Sequence, residues 1–351
     1  MSKIKIFIGG VINISNAQNI NCLSLVKSLD KSRFELYTLQ SSRGEIIKDT
    51  NAKYFVIREP IKLFKYVAFL WGIIKADVCY FPKTECFTWN SYFCKLLNKK
   101  YFRTIESVID EKIVNQLNKN KKSYIIDDYR RSDNLYAITE YMKDYNYKHH
   151  DIQCKAETLY LGVDDDIPKE RINQSSDIVN VIIVGHDLIR KGVEEFIELS
   201  ENHQEVTFHI VGSGNNRINM YKKSNEQNKS KNIIYHGPLG REELNKVLKI
   251  VDLLVLPSHS EGFPKVILEC AAKGIPSLIY SSYGAKEWIE NDINGFVCDN
   301  RSDFFEKFSL IKNNPTLIKE VKGNLQSLFN KFKWSVCVSK WEKVIRDVNE
   351  L

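Results

Sequence analysis

Short apolar runs alternate with polar-faced stretches of helical period along nearly the whole chain. In the first half the runs at 4–8, 34–39, 54–57, 78–81, 101–105 and 158–161 predict strands, and 135–138 is a short apolar segment leading into a helix. Gly9-Gly10 reads as a turn after the first strand. Helices are predicted over 17–29, 61–74, 90–97 and 140–147. Residues 164–177 are polar, contain Pro168 and carry no apolar period, which marks a linker. The alternation then restarts. Strands are predicted at 178–184, 206–211, 233–235, 253–256, 277–280 and 295–297, and helices at 193–200, 218–224, 242–250, 265–273 and 285–290. From about residue 302 the pattern is helical in three pieces, broken near Pro315 and Trp334. Apolar strands alternating with helices argue for parallel sheets covered on both faces. Two such series in tandem predict two doubly wound α/β domains.

The 351 residues suit two domains of ordinary size. With 43% hydrophobic and 27% charged residues, wholesale disorder is excluded. The longest uncharged apolar run, 66–74, falls short of the roughly 20 residues a membrane-spanning helix needs. The chain enters its first strand without the layout of a signal peptide. Eight cysteines are scattered with no CxxC spacing, as expected for buried thiols in a reducing compartment. His149-His150 near Cys154 lacks a second ligand pair in register, so no metal site is expected. Residues 1–165 hold 26 Lys and Arg against 19 Asp and Glu, a net of +7; the rest balance at 25 against 25. A basic first half suits an anionic partner. The stretches 61–75 and 89–100, with Arg103, place Trp71, Trp89 and Phe93 beside long cationic stems, as at a lipid headgroup interface.

In open α/β sheets ligands bind beyond the carboxyl ends of the strands. The densest candidate chemistry lies in such a loop. A buried strand ends at Leu256-Pro257; Ser258, Glu261, Gly262, Phe263, Pro264 and Lys265 lead into a helix that carries Glu269 and stops at Gly274. Proline is favoured just inside a helix start, and the free N–H groups there attract an anion. Glu261 and Glu269, with seven residues between them, can grip different parts of one elongated ligand.

This segment resembles the retaining glycosyltransferases of family four, and the resemblance extends over most of the chain. Gly185-His186, then Arg190-Lys191-Gly192, resembles the family's strand, GR and KG opening of the donor domain. Gly212 lies in its G-x-G turn, and Pro238-Leu239 in the turn before the next helix. Gly284–Trp288 and Asn294-Gly295-Phe296 match later segments; Gly9-Gly10, Thr139-Glu140 and Leu161–Asp164 match the first domain. The resemblance implies a GT-B fold, two Rossmann-like domains facing a central cleft. Residues 1–165 would bind acceptor, 166–333 would bind donor, and 334–351 would form a helix returning to the first domain.

It also implies roles. Lys191 would meet the donor diphosphate, Glu269 the ribose hydroxyls, and Glu261 the sugar ring; the amides of Gly262 to Lys265 would cradle sugar and phosphate. Where the family has Arg after the strand glycine this chain has His186, and Arg190 is the alternative cation. Glu106 stands where the first domain of the family often has His. The implied reaction moves a sugar from a UDP- or GDP-sugar to a hydroxyl acceptor with retention, by a hexosyltransferase-type enzyme that needs no metal or other cofactor. The acceptor would be a lipid-linked or cell-surface polysaccharide or lipopolysaccharide intermediate. No nucleic-acid partner is expected. The enzyme would be cytoplasmic and peripheral on the inner face of an anionic membrane. A nucleotide-sugar epimerase or hydrolase of the same fold, or a non-catalytic nucleotide-sugar-binding partner of another transferase, are the alternative readings.

Overall fold

A computed structural model describes residues 2–14, 16–82, 88–165, 167, 177–213 and 232–351. The expected helix over 218–224, Gly214, Pro168 and most of the expected linker lie outside the described residues. The chain divides into two compact units, Met1–Asp165 with Phe332–Leu351, and Asp166–Lys331.

The first unit is built on a six-stranded sheet of β1 (Ile4–Val11), β2 (Phe34–Ser41), β3 (Lys53–Ile57), β4 (Val78–Pro82), β5 (Lys100–Ile105) and β6 (Leu135–Ala137). Its order is β3-β2-β1-β4-β5-β6 and every pairing is parallel. Its helices are α1 (Ala17–Ser28), α2 (Ile61–Lys75), α3 (Thr88–Leu96), α4 (Glu111–Lys119), α5 (Tyr124–Arg130) and α6 (Glu140–His150). Asn16, Asp110 and Thr139 start α1, α4 and α6 by accepting the amides of Asn19, Ile113 and Met142, which supplies orphan N–H groups of each first turn. Phe7, Leu39, Phe69, Ile73, Cys79 and Phe81 form one core between β1, β2, β4 and α2.

The second unit repeats the scheme with β7 (Asn180–Gly185), β8 (Thr207–Gly212), β9 (Ile233–Gly237), β10 (Leu253–Leu256), β11 (Ser277–Tyr280) and β12 (Phe296–Cys298). The order is β12-β11-β10-β7-β8-β9, again parallel throughout. Helices α7 (Val193–Asn202), α8 (Arg241–Leu248), α9 (Lys265–Ala272), α10 (Arg301–Lys312) and α11 (Pro315–Lys331) belong to it. The strand order reverses between β7 and β10, so the carboxyl ends of these two strands are the place where loops part and a ligand can enter.

The last helix, α12 (Trp334–Glu350), is part of the first unit. Trp341 is buried, donates from Nε1 to the Tyr160 carbonyl at 3.0 Å and sits edge-on to Tyr80. Glu342 accepts the Asp30 amide at 2.9 Å and pairs with Arg33 at 2.8 Å. The chain rejoins this unit at Phe332, where the Val163 amide donates to the Phe332 carbonyl at 2.8 Å.

Several local expectations need correction. Gly9 and Gly10 form no turn: β1 runs through them to Val11, and its register with β2 slips between Phe7 and Val11. Residues 158–161 form no strand. The Lys155 and Leu159 amides donate to the Leu135 and Ala137 carbonyls of β6, four residues of one chain segment against two of the other, so no regular ladder forms. The helix expected at 285–290 is a single 3-10 turn, Gly284–Glu287. Asn294 ends it by accepting the Glu290 amide and donating to the Trp288 carbonyl. Helices α4 and α5 were not expected. Among the described residues no helix is long and apolar enough to cross a membrane.

Candidate active site

Two loops meet at the reversal point of the second sheet. The first leaves β7 at Gly185 and turns through Asp187, whose carbonyl accepts the Lys191 amide at 3.0 Å. It enters α7 through Gly192, whose φ of 78° is open to glycine at little cost. A Cβ there would lie 2.1 Å from the Pro257 carbonyl oxygen, so only glycine lets this loop pass under the second. The second loop leaves β10 at Leu256 and runs through Pro257 to Pro264. The His259 amide donates to the Arg190 carbonyl at 3.1 Å and joins them.

Between the loops Lys191 and Glu261 are both buried, at 7% and 6% exposure, with Nζ 2.6 Å from Oε1. A lysine in the first turn after a strand is ordinarily solvated, so this burial sets it apart. Its aliphatic stem crosses Gly185, where a Cβ would come within 2.7 Å of it. Arg190 Nη1 lies 3.2 Å from the same Glu261 oxygen and also donates to the Ser260 carbonyl. Ser258, fully buried, donates to that oxygen at 2.8 Å. One carboxylate oxygen thus gathers two cations and a hydroxyl. Burial pushes the Lys191 ammonium below its ordinary pKa, while Glu261 opposes that shift. Around the pair, Tyr283 donates from its buried hydroxyl to the Leu256 carbonyl at 3.2 Å, and Phe263 packs on Trp288 at 4.9 Å between centroids.

The structure therefore brings Gly185, Arg190, Lys191 and Glu261 together. His186 is exposed at the end of β7, and its carbonyl accepts Ser213 Oγ at 2.8 Å. Gly212 ends β8 with φ 140° against the Gly185 carbonyl. Pro238 and Leu239 follow β9, exposed and half-buried. Pro264 precedes α9 as its cap, one position outside the expected place. The Lys265 amide donates to the Phe263 carbonyl at 2.9 Å, and Pro264 has no N–H, so the expected amide cradle narrows to Gly262 and Phe263. Glu269 lies half-buried on the second turn of α9. Gly9, Gly10 and Glu106 belong to the first unit. There Glu106 accepts Thr104 Oγ1 at 2.9 Å, and Thr104 meets the Tyr80 hydroxyl at 3.0 Å. Ser258 stands in the candidate loop with no role assigned from sequence; its place three residues before Glu261 was the signal for its bond to that carboxylate. Among the described residues no cluster of three or more His, Cys, Asp or Glu could hold a metal ion.

Residues 164–330 match the family model of glycosyl transferases group 1. An uncharacterized glycosyltransferase of Methanocaldococcus jannaschii is 27% identical over 224 residues, 62% of this chain and 61% of that relative. The alpha-galactosylglucosyldiacylglycerol synthase of Streptococcus pneumoniae is 26% identical over 166 residues, 46% of this chain and 44% of that relative. The chain thus spans less than two thirds of the length of these relatives. Among solved structures, sucrose-phosphate synthase from Thermosynechococcus elongatus superposes with a TM-score of 0.81 over 99% of both chains at 13% identity. The HepE protein of Anabaena, solved with UDP and glucose, gives 0.75 over 98% of this chain and 100% of that one at 14% identity. Likenesses at such identities establish the fold. Residues 164–330 therefore resemble the glycosyl transferases group 1 family, in a chain with the GT-B fold.

Proposed function

We propose that the protein is a retaining glycosyltransferase of family four that moves a sugar from a UDP- or GDP-sugar to a hydroxyl of a lipid-linked or surface-glycan acceptor. The observation that carries this reading is the buried Lys191, held with Arg190 on Glu261 at the sheet's reversal point. Cations set in a low-dielectric site act most strongly where negative charge develops, and a departing nucleoside diphosphate is such a charge. In the proposed step the bond from the anomeric carbon to the diphosphate oxygen breaks and a bond to the acceptor oxygen forms on the same face. The acceptor proton passes to the departing phosphate. Lys191 and Arg190 hold that phosphate, Glu261 orients the sugar and Glu269 holds the ribose. Arg190 takes the role considered for His186, because its guanidinium lies beside Lys191 while His186 is exposed.

Relatives support the acceptor class. The Streptococcus pneumoniae relative is a diacylglycerol-glycolipid synthase by name. A further relative, 31% identical over 133 residues, acts by name on a diphospho-undecaprenol acceptor in Campylobacter jejuni. The test is release of nucleoside diphosphate from a panel of UDP- and GDP-sugars, with and without polyprenyl-diphosphate sugars and glycolipids. Release that depends on acceptor and yields an α-linked product from an α-linked donor is the expected result. Release without acceptor would mean a hydrolase, an altered donor an epimerase, and binding without any turnover a non-catalytic subunit.

A further inference from the structure

Helix α2 carries apolar side chains on two opposite faces, and has Lys62, Lys65 and Lys75 in its sequence. Its inner face, Ala68, Phe69, Gly72 and Ile73, packs on the first sheet, where Phe69 meets Phe7 edge-on at 5.7 Å. Leu63, Tyr66, Val67 and Ile74 recur at the opposite helical spacing and face outward. On α3, Trp89 and Leu96 do the same. These six side chains are 48–64% exposed. Tyr66 and Trp89 touch across the two helices, 6.0 Å between ring centroids, so the two stripes make one face. An exposed apolar face of this kind normally marks a protein or lipid contact; among the described residues no segment encloses the outer side of these side chains.

The charges on the two helices argue for what does. Neither α2 nor α3 carries an acidic residue, and Lys75 and Lys95 are exposed at their last turns. Lys65 lies over the Phe69 ring at 5.6 Å. A second copy of the chain would set these cations against their own likeness, because a two-fold contact uses the same surface twice. An anionic bilayer complements both features, apolar side chains entering the acyl boundary and ammonium groups meeting the headgroup phosphates. Two residues expected at such an interface are excluded from it. Trp71 turns inward, 5.7 Å from both Tyr37 and Phe55. Arg103 is buried, donating to the Asp128 carbonyl and Ser132 Oγ and lying over the Tyr129 ring.

We propose that the outward face of α2 and α3, formed by Leu63, Tyr66, Val67, Ile74, Trp89 and Leu96 with Lys75 and Lys95, docks the protein on an anionic lipid surface. The proposal does not depend on which donor or acceptor the second unit uses.

The test is flotation of the full chain with vesicles of phosphatidylcholine alone and with phosphatidylglycerol added, at low and high salt. The wild type is expected to float with the anionic vesicles and to be weakened by salt. Trp89→Ser with Leu96→Ser is expected to weaken binding by about tenfold or more, because each inserted side chain loses its apolar burial. Lys75→Glu with Lys95→Glu is expected to do the same on anionic vesicles only. Both variants alter exposed positions, and unchanged melting curves show that they remain folded. Absence of flotation, equal flotation with both vesicle types, or variants that bind as the wild type does would overturn the proposal. So would a concentration-dependent dimer, seen by sedimentation, that the Trp89/Leu96 variant abolishes.

Discussion

Lys191 shows how little of a residue's role lies in its type. The same lysine, directly before a helix cap, would be solvated in most proteins; here Gly185, Gly192 and the Pro257 loop enclose it against Glu261. Sequence patterns identify Lys191 and Glu261 as separate motifs 70 residues apart, and only the folded sheet makes them one ion pair. A second polar pair, with His209 buried and His236 half-buried, makes a prediction of its own. His209 Nδ1 lies 3.0 Å from His236 Nε2, and its Nε2 is 3.1 Å from Asn180 Oδ1. Burial, with His236 beside it, lowers its pKa to about 4 from the ordinary 6.5. Between those values the unfolded chain binds a proton that the folded chain refuses. Stability from this group is therefore complete above the unfolded value and is lost as pH falls from there toward the folded one. Denaturant titrations from neutral pH down to about pH 4 should show a loss on the order of 2 kcal/mol that His209→Gln removes. Parallel pH profiles for both proteins would contradict it.

At the scale of elements, the strands were the most legible, because parallel strands buried on both faces must be apolar throughout. β10 and β11 fall on the expected residues, and the breaks at Pro315 and Trp334 separate the last three helices as expected. Helix α4 was not, although Asp110 caps it and Ile113, Val114 and Leu117 form a stripe. That stripe is too short to set a period, and none of its residues is fully buried. The strand expected at 158–161 was misread because an apolar run reports burial, not hydrogen bonding. Close packing also decides where α2 can sit. A Cβ at Gly72 would lie 2.3 Å from the Phe7 ring, and Phe7 itself is enclosed by Phe69 and Phe81. Gly72→Ala should therefore cost about 1–3 kcal/mol by overpacking, in spite of alanine's better helix propensity. Urea unfolding would read this, and a neutral or stabilising result would mean that α2 can move away from β1.

At the scale of the molecule, the first unit is closed by residues from both ends of the chain. Trp341 packs on Tyr80 of β4, and Glu342 holds the turn after α1. Trp341→Ala should lower stability by about 3–5 kcal/mol and raise hydrogen exchange in β4 and α1. Unchanged exchange there would mean that the helix merely rests on the surface. The sequence could show that two α/β series follow one another, but not that Lys191, Arg190, Ser258 and Glu261 converge on one oxygen, since that contact joins the loops after β7 and β10, neighbours in the sheet but far apart along the chain. The central claim is that this cluster receives a nucleoside diphosphate. Calorimetric titration of UDP and GDP into the wild type, Lys191→Ala and Glu261→Ala tests it most directly. A charge-assisted hydrogen bond is worth roughly 1.5–3 kcal/mol. Lys191→Ala should therefore lose about ten- to a hundredfold in affinity for whichever nucleotide the wild type binds. Glu261→Ala, which removes the carboxylate competing for the same cations, should retain that affinity or raise it. Failure of both nucleotides to bind the wild type, or equal affinity for wild type and Lys191→Ala, would contradict the account.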